Sequence, residues 1–200
     1  MSMELPVVRS VRVGDDGIAR CAWVGGDEHY QRYHDDEWGF ALHGDQPLFE
    51  KLTLEAFQSG LSWITILRRR EGFRHAFGGF DWRAIAEYDA SDVERLMADE
   101  GIIRNRAKID ATIANARVLT EWLAHEPGGL DALVWSHRPA AHTHRRSTLA
   151  EVPSQTEESR ALSRELKARG WRFVGPTTAY ALMQSAGLVD DHVAGCWRAA

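Results

Sequence analysis

The chain has 200 residues, 44% of them hydrophobic and 26% charged, and a formal net charge of −5. That balance is ordinary for one soluble domain with a proper core, and the negative sum argues against a uniformly basic nucleic-acid binder. No apolar run approaches the ~18 residues of a membrane span and no signal-peptide core opens the chain, so a cytoplasmic protein is expected.

Residues 1–20 show little apolar periodicity and read as a flexible or loosely docked arm, ahead of a single helical domain over 21–200. Asp45 is placed to cap a helix through Pro47 to Ser59, which Gly60 ends. The next helix begins near Ser62 and closes in the arginine run 68–70. Ser91-x-x-Glu94 reads as a capping box for a helix stopping at Gly101. A long helix follows from about Arg104 to His125, broken by Pro127-Gly128-Gly129. Ser154-x-x-Glu157 caps another that ends at Gly170, and Thr177 or Thr178 starts one ending at Gly187. A last helical turn carries His192 and Cys196, and Trp171–Val174 is a short strand candidate. The expected fold class is all-α.

Two cysteines and their neighbouring histidines stand out. Cys21 and His34 lie near one end, His192 and Cys196 near the other, the latter pair spaced to share one helix face. In a reducing compartment such thiols favour metal over a disulfide, and two thiolates with two imidazoles make a closed structural zinc set. Two buried thiols with unrelated histidines would account for the same residues. Charge is clustered: acids at Asp27, Glu28 and 35–37, bases at Arg68–Arg70 with Arg74, at Arg104, Arg106 and Lys108, and at Arg138, Arg145 and Arg146 within a His-rich stretch, 137–146. These leave room for a basic groove.

Gly101-Ile102-Ile103 between two helices, over about 92–118, has the layout of a helix-hairpin-helix. Its glycine lets backbone N–H groups converge on a phosphate without reading bases. A plain turn between helices fits the same residues. On the helix after Asp45, Leu48, Leu52, Ala56 and Ser59 gather on one side with Glu55 at the edge of the stripe, where a carboxylate needs a partner or a function. Trp23, Tyr30, Tyr33 and Trp38 lie near the first thiol, and a tight turn pushes Leu61 and Trp63 outward. An acid beside aromatic faces suits a flat, cationic ligand.

These stretches together resemble the 3-methyladenine DNA glycosylase I, or Tag, family of bacteria. The matching segments are Cys21-Ala-Trp23, Tyr33-His34-Asp-Asp-Glu37-Trp38-Gly39, Leu54-Glu55-Ala-Phe-Gln58-Ser-Gly60-Leu61-Ser62-Trp63-Ile64, Gly101-Ile-Ile-Arg104-Asn-Arg106-Ala-Lys108-Ile109, Phe173-Val-Gly175-Pro-Thr177-Thr178 and Asp191-His192-Val-Ala-Gly195-Cys196. The resemblance implies an all-α, helix-hairpin-helix glycosylase domain that excises N3-methyladenine from alkylated double-stranded DNA by base flipping, without lyase activity. It implies one structural zinc on Cys21, His34, His192 and Cys196, joining the two ends of the chain. Glu55 would contact the flipped base in a pocket of Tyr33, Trp63, Trp23, Tyr30 and Trp38. Gly60 and Leu61 would fill the duplex gap, and Gly101, Arg104, Arg106, Lys108 and Thr177 would hold the DNA backbone. The family lacks the catalytic aspartate of related enzymes, so none is nominated. Ala56 and Ala107 stand where the family often has glycine, which bears on substrate range. A monomer with no protein partner is expected. The competing readings are a zinc-stabilised lesion-binding protein that does not excise, and a zinc hydrolase; four protein ligands would leave the latter no open coordination position.

Overall fold

The structure, a computed structural model, describes residues 10–140 and 146–199. Ten α-helices, three short 3-10 turns and one pair of short strands make up the regular structure of these residues. Strands β1 (Val11–Val13) and β2 (Ala19–Cys21) pair antiparallel, with Val11 opposite Cys21. They occupy the stretch read from the sequence as an arm, and β2 delivers Cys21 to the interior. Helix α1 (Glu28–Asp36) follows, with Asp27 accepting the Tyr30 N–H at its N-terminus.

The centre of the molecule is α2 (Asp45–Gln58). It is buried through an unbroken run from Leu52 to Phe57, so apolar stripe and polar face are not separated as they are in a surface helix. Glu55 therefore lies inside, not at the edge of a stripe, and Ser59 is exposed rather than part of that face. After it come α3 (Trp63–Leu67), α4 (Arg70–Ala76), α5 (Trp82–Ala86), α6 (Ala90–Ala98), α7 (Arg106–His125), α8 (Gly129–Ser136), α9 (Glu157–Ala168) and α10 (Pro176–Ser185). The expected helix from Ser62 into the arginine run is thus two short ones. Phe57, Phe73, Phe77 and Phe80 form a ring stack, with successive centroids 4.7, 6.3 and 5.7 Å apart, that locks α2 to α4.

Several helix starts fall elsewhere than the sequence patterns place them, in most cases because another acceptor reaches the free N–H groups. Asp89, not Ser91, caps α6 and closes the box with Asp92; an ionised carboxylate outcompetes a hydroxyl for the free N–H groups. Thr156 with Ser159, not Ser154 with Glu157, does the same for α9. Asn105 caps α7, so Arg104 precedes the helix, and α10 starts at Pro176 behind Gly175. Asp45 does not cap its own helix. Its carboxylate accepts from the N–H of Gly128 and Asp131 at the start of α8, while Asp131 accepts from Gly44 N at the start of α2. The two helices cap each other.

The strand candidate Trp171–Val174 is a turn. The Asn115 carboxamide on α7 bonds both the N–H and the C=O of Arg172, taking the groups a strand partner would need, and Phe173 adopts a φ of 55°. The helical turn expected at His192–Cys196 is likewise absent: residues 190–199 form irregular turns. No helix among the described residues is long and apolar enough to cross a membrane.

Candidate active site

A cavity of about 350 Å³ opens between α1, α2, α3 and α10 and contains Glu55 with Trp23, Tyr30, Tyr33, Trp38 and Trp63. The six residues grouped from the sequence thus line one space. Gln58, Leu149, Val152, Ala181, Gln184 and Asp191 complete it. The rings form two sets. Tyr33 and Trp63 lie 5.4 Å apart on one wall; Trp23 meets Tyr30 at 5.0 Å and Trp38 at 5.1 Å, edge to face, on the other. Both edge-to-face contacts are the favourable arrangement for ring quadrupoles.

Glu55 is 4% exposed. Burial lifts its carboxyl from the ordinary 4.5 to about 7, against the pull of the Lys51 charge and a hydrogen bond from Ser185 Oγ at 3.1 Å. Burial likewise pushes the Tyr33 phenol well up and that of Tyr30 to about 12, so both are neutral donors. The Trp63 indole N–H is buried and meets no acceptor among the described residues. An unmatched buried donor costs about 1–3 kcal/mol. Asp191, the second acid of the cavity, is fully engaged: Tyr180 Oη (2.5 Å) and Gln184 Nε2 (2.8 Å) donate to one oxygen and Arg146 Nε (2.9 Å) to the other.

Behind the Trp23–Trp38 wall is the thiol and imidazole cluster. The ligand atoms of Cys21, His34 and Cys196 lie within 4.8 Å of one another, all three residues buried. Cys196 Sγ is 3.4 Å from His34 Nε2, and His34 Nδ1 is held by Asp35 Oδ1 at 2.8 Å, which fixes the ring so that Nε2 faces the sulfurs. Hydrogen bonds from Cys21 and His34 pull the Cys196 thiol below its usual range, and the Cys196 thiolate pushes that of Cys21 up. His192 stands beside this trio rather than within it: its ring is 5.0 Å from that of His34, and its Nδ1 bonds Asp190 Oδ1 at 2.8 Å. Gly39 is required here, since a Cβ would come within 2.9 Å of His192 Cε1 and its φ is +83°. The cluster braces the pocket directly: Trp38 packs on His192 at 4.5 Å and Trp23 on His34 at 5.4 Å.

The segment linking α6 to α7 runs through Gly101. Its N–H is bonded to Asp99 Oδ1 at 2.7 Å, and α4 approaches so closely that a Cβ on Gly72 would fall 2.5 Å from Gly101 O. Arg104 is exposed, Arg106 pairs with Glu94 at 2.6 Å, and Thr177 is exposed in the first turn of α10. Lys108 points inward. Its Nζ donates to Phe57 O (2.8 Å) and Ser59 O (2.7 Å), satisfying carbonyls at the C-terminus of α2 and fixing the turn that presents Gly60, at φ +84°, and Leu61, which is 42% exposed. The acidic and basic runs of the sequence largely face each other: Arg68 pairs with Asp27, Arg70 with Glu37 and Arg74 with Glu50. Arg68, Arg70 and Arg74 are therefore neutralised locally, while Arg69 donates to the Glu100 carbonyl.

Residues 23–199 match the family model for methyladenine glycosylase. The chain belongs to the methyladenine glycosylase family. It is 47% identical over 182 residues to the DNA-3-methyladenine glycosylase 1 of Escherichia coli (strain K12), which spans 90% of this chain and 96% of that relative. A crystal structure of 3-methyladenine DNA glycosylase I superposes with a TM-score of 0.83 at 45% identity, covering 89% of this chain and 98% of the other. The Staphylococcus aureus 3-methyladenine DNA glycosylase I, solved to show how it recognises 3-methyladenine, gives 0.84 at 30% identity, covering 90% and 96%.

Several residues in or behind this glycosylase's pocket had no distinct signal in the sequence. Ser185 and Gln184 are ordinary members of α10, and Asp191 was visible only as the neighbour of His192. Of the two alanines that depart from the family pattern, Ala56 is buried against the core of α2 and Ala107 is exposed. In the His-rich stretch, residues 141–145 lie outside the described residues; His137 contacts Glu165, and Arg146 holds Asp191.

Proposed function

We propose that this glycosylase hydrolyses the N-glycosidic bond of N3-methyladenine in alkylated double-stranded DNA, with the nucleotide flipped into the Glu55 cavity. The observation that carries the reading is a buried carboxylate inside a ring-lined cavity of about 350 Å³, in the size range of small-molecule sites. Methylation at N3 makes adenine cationic, so the bond to the sugar is already weak. The ionised form of Glu55 attracts that cation, and Tyr33 and Trp63 on one side with Trp23, Tyr30 and Trp38 on the other offer it π faces. Water adds at C1′ as the C1′–N9 bond breaks, the electron pair leaves with the base, and the proton of the water passes to solvent. The enzyme's contribution is to extrude, hold and orient. No lysine lines the cavity among the described residues, which supports hydrolysis without a Schiff-base lyase step.

Leu61 fills the gap left in the duplex, from the turn that Lys108 secures. Gly101, Arg104, Arg106 and Thr177 grip the backbone; the Arg106–Glu94 pair would exchange for a phosphate on binding. Zinc fits the donor chemistry of the cluster. Two thiols and His34 Nε2 converge, His192 is the fourth donor, and both histidines carry the carboxylate partner typical of zinc-bound imidazole. The role assigned to the metal is structural, joining the two ends of a monomer that acts in the cytoplasm.

Base release from methylated duplex DNA, resolved by chromatography with wild type and Glu55→Gln side by side, tests the reading. Free 3-methyladenine from wild type, reduced in the variant, is the expected result. A folded protein that binds the lesion and releases nothing would leave a lesion-binding protein in its place.

A further inference from the structure

Lys51 does not line the base pocket, yet it lies against one of its walls. It sits one helical turn before Glu55 on α2, at i and i+4, where side chains share a helix face. Its Nζ is 5.0 Å from the centroid of Tyr33 and 5.3 Å from that of Trp63, the two rings of one pocket wall. It also borders a second cavity, of about 260 Å³, whose lining includes Ser185, Glu37 and Arg70. Ser185 borders the same space while donating to Glu55. Lys51 and Ser185 thus belong to the partition between the base pocket and a second, charged cavity.

The groups that face Glu55 can be taken element by element. From α1 come Tyr30 and Tyr33, both held protonated by burial, and from just beyond its end Glu37, paired with Arg70 of α4. From α10 comes the Ser185 hydroxyl. From the C-terminal segment comes Asp191, engaged by Arg146, Tyr180 and Gln184. Lys51 forms no ion pair within 4.0 Å among the described residues, so its charge is directed at the pocket through the rings rather than cancelled by one carboxylate.

We propose that Lys51 is a positioning residue that favours the ionised form of Glu55 in the empty pocket, acting across the Tyr33–Trp63 wall. This rests on Glu55 being the acid that receives the cationic base. In a water-poor site a charge at this range acts far more strongly than in bulk solvent. Burial alone drives Glu55 toward its neutral form, and the Lys51 charge is the largest influence opposing it. The dependence is mutual: burial pulls the lysine's pKa down, and Glu55 and Glu37 hold it up. A pocket so arranged presents a carboxylate to an incoming cation, yet is nearly neutral overall when the uncharged base product must leave.

The test uses Lys51→Met and Lys51→Arg in the full chain, with carboxyl carbon NMR of the free protein and the Glu55 signal assigned through Glu55→Gln. The Glu55 titration midpoint should rise by about one pH unit or more in Lys51→Met and stay put in Lys51→Arg. The acid limb of kcat/KM should follow, giving about tenfold lower kcat/KM at pH 6 for Lys51→Met and wild-type values well above the midpoint. A structural defect would lower the whole profile without moving it. If Lys51→Met does not fold, Lys51→Gln removes the charge while keeping a polar head. An unmoved Glu55 midpoint in the folded variant overturns the proposal. Failure of wild type to release any base would sink the role of Glu55 in excision and leave the titration result standing by itself.

Discussion

The molecule has two unequal cores, and the pocket lies between them. The larger runs from Leu48 and Phe49 through the stack of Phe57, Phe73, Phe77 and Phe80 to Met183 and Val189, almost wholly apolar and buried. The smaller comprises Cys21, Val24, Val193 and Cys196, with partly buried neighbours such as Val11 and Leu149. The first is held by area and packing, which are non-directional and redundant. The second has too little apolar surface for that and relies on directed contacts: thiols on imidazole, imidazoles on Asp35 and Asp190, and the Arg20 guanidinium on Asp35 and Asp16. Trp63 belongs to the large core, and Glu55 is buried on α2 at its centre. Trp23 and Trp38, which also pack on the large core, rest in addition on His34 and His192. One wall of the pocket is thus fixed by packing alone and the other by packing together with a polar clasp.

The contrast can be broken at several strengths. Phe57→Ala should be the most damaging, costing about 3–5 kcal/mol in denaturant unfolding because it hollows the ring stack. Glu55→Gln should act oppositely. The folded-state pKa of Glu55 lies near 7 against an ordinary 4.5, so the folded chain holds a proton that the unfolded chain has lost, and stability falls as pH rises across that window. Removing the ionisable group should therefore stabilise the protein by about 3 kcal/mol at pH 8 and by little below pH 4.5, while base release falls. Equal melting shifts at both pH values would contradict this.

Cys196→Ser should be milder in the large core and sharper at the pocket. A loss of about 2 kcal/mol follows from the broken buried contact. Tryptophan fluorescence should change while far-ultraviolet helix content is kept, because Trp23 and Trp38 rest on His34 and His192. Stripping metal with a strong chelator should reproduce that signature, and metal analysis of the variant should show depleted zinc. The smallest effect belongs to Asp131→Ala, which removes the cap on α2 and should cost about 1 kcal/mol without altering excision. A large loss of excision there would mean that the α2–α8 contact also sets the position of Glu55.

The sequence showed its helices through periodicity and its breaks through glycine and proline, and these survive in α2, α7 and α10 with shifted ends. The shifts at the starts of α2, α6 and α9 have one source. A cap is chosen by whichever acceptor reaches the free N–H groups, and Asp89, Thr156 and Asp131 do so by local geometry or, for Asp131, from 87 residues away. Lys108 was legible as a basic residue opening a helix, but its burial under the C-terminus of α2 depends on how two helices cross. The same holds for Arg68 and Arg70, whose partners Asp27 and Glu37, flanking α1, are 41 and 33 residues distant.

By itself, then, the sequence determined the all-α class, the family, the ring-forming residues and the acid among them, because these are matters of residue type and linked local motifs. Only the tertiary structure decided that Glu55 is buried with Lys51 and Ser185 beside it, that Asp191 completes the cavity, and that Cys21, His34 and Cys196 converge with His192 alongside. The physical reason is range. Periodicity and capping act within a few residues, whereas burial and electrostatic environment are created by segments that meet only when the chain closes.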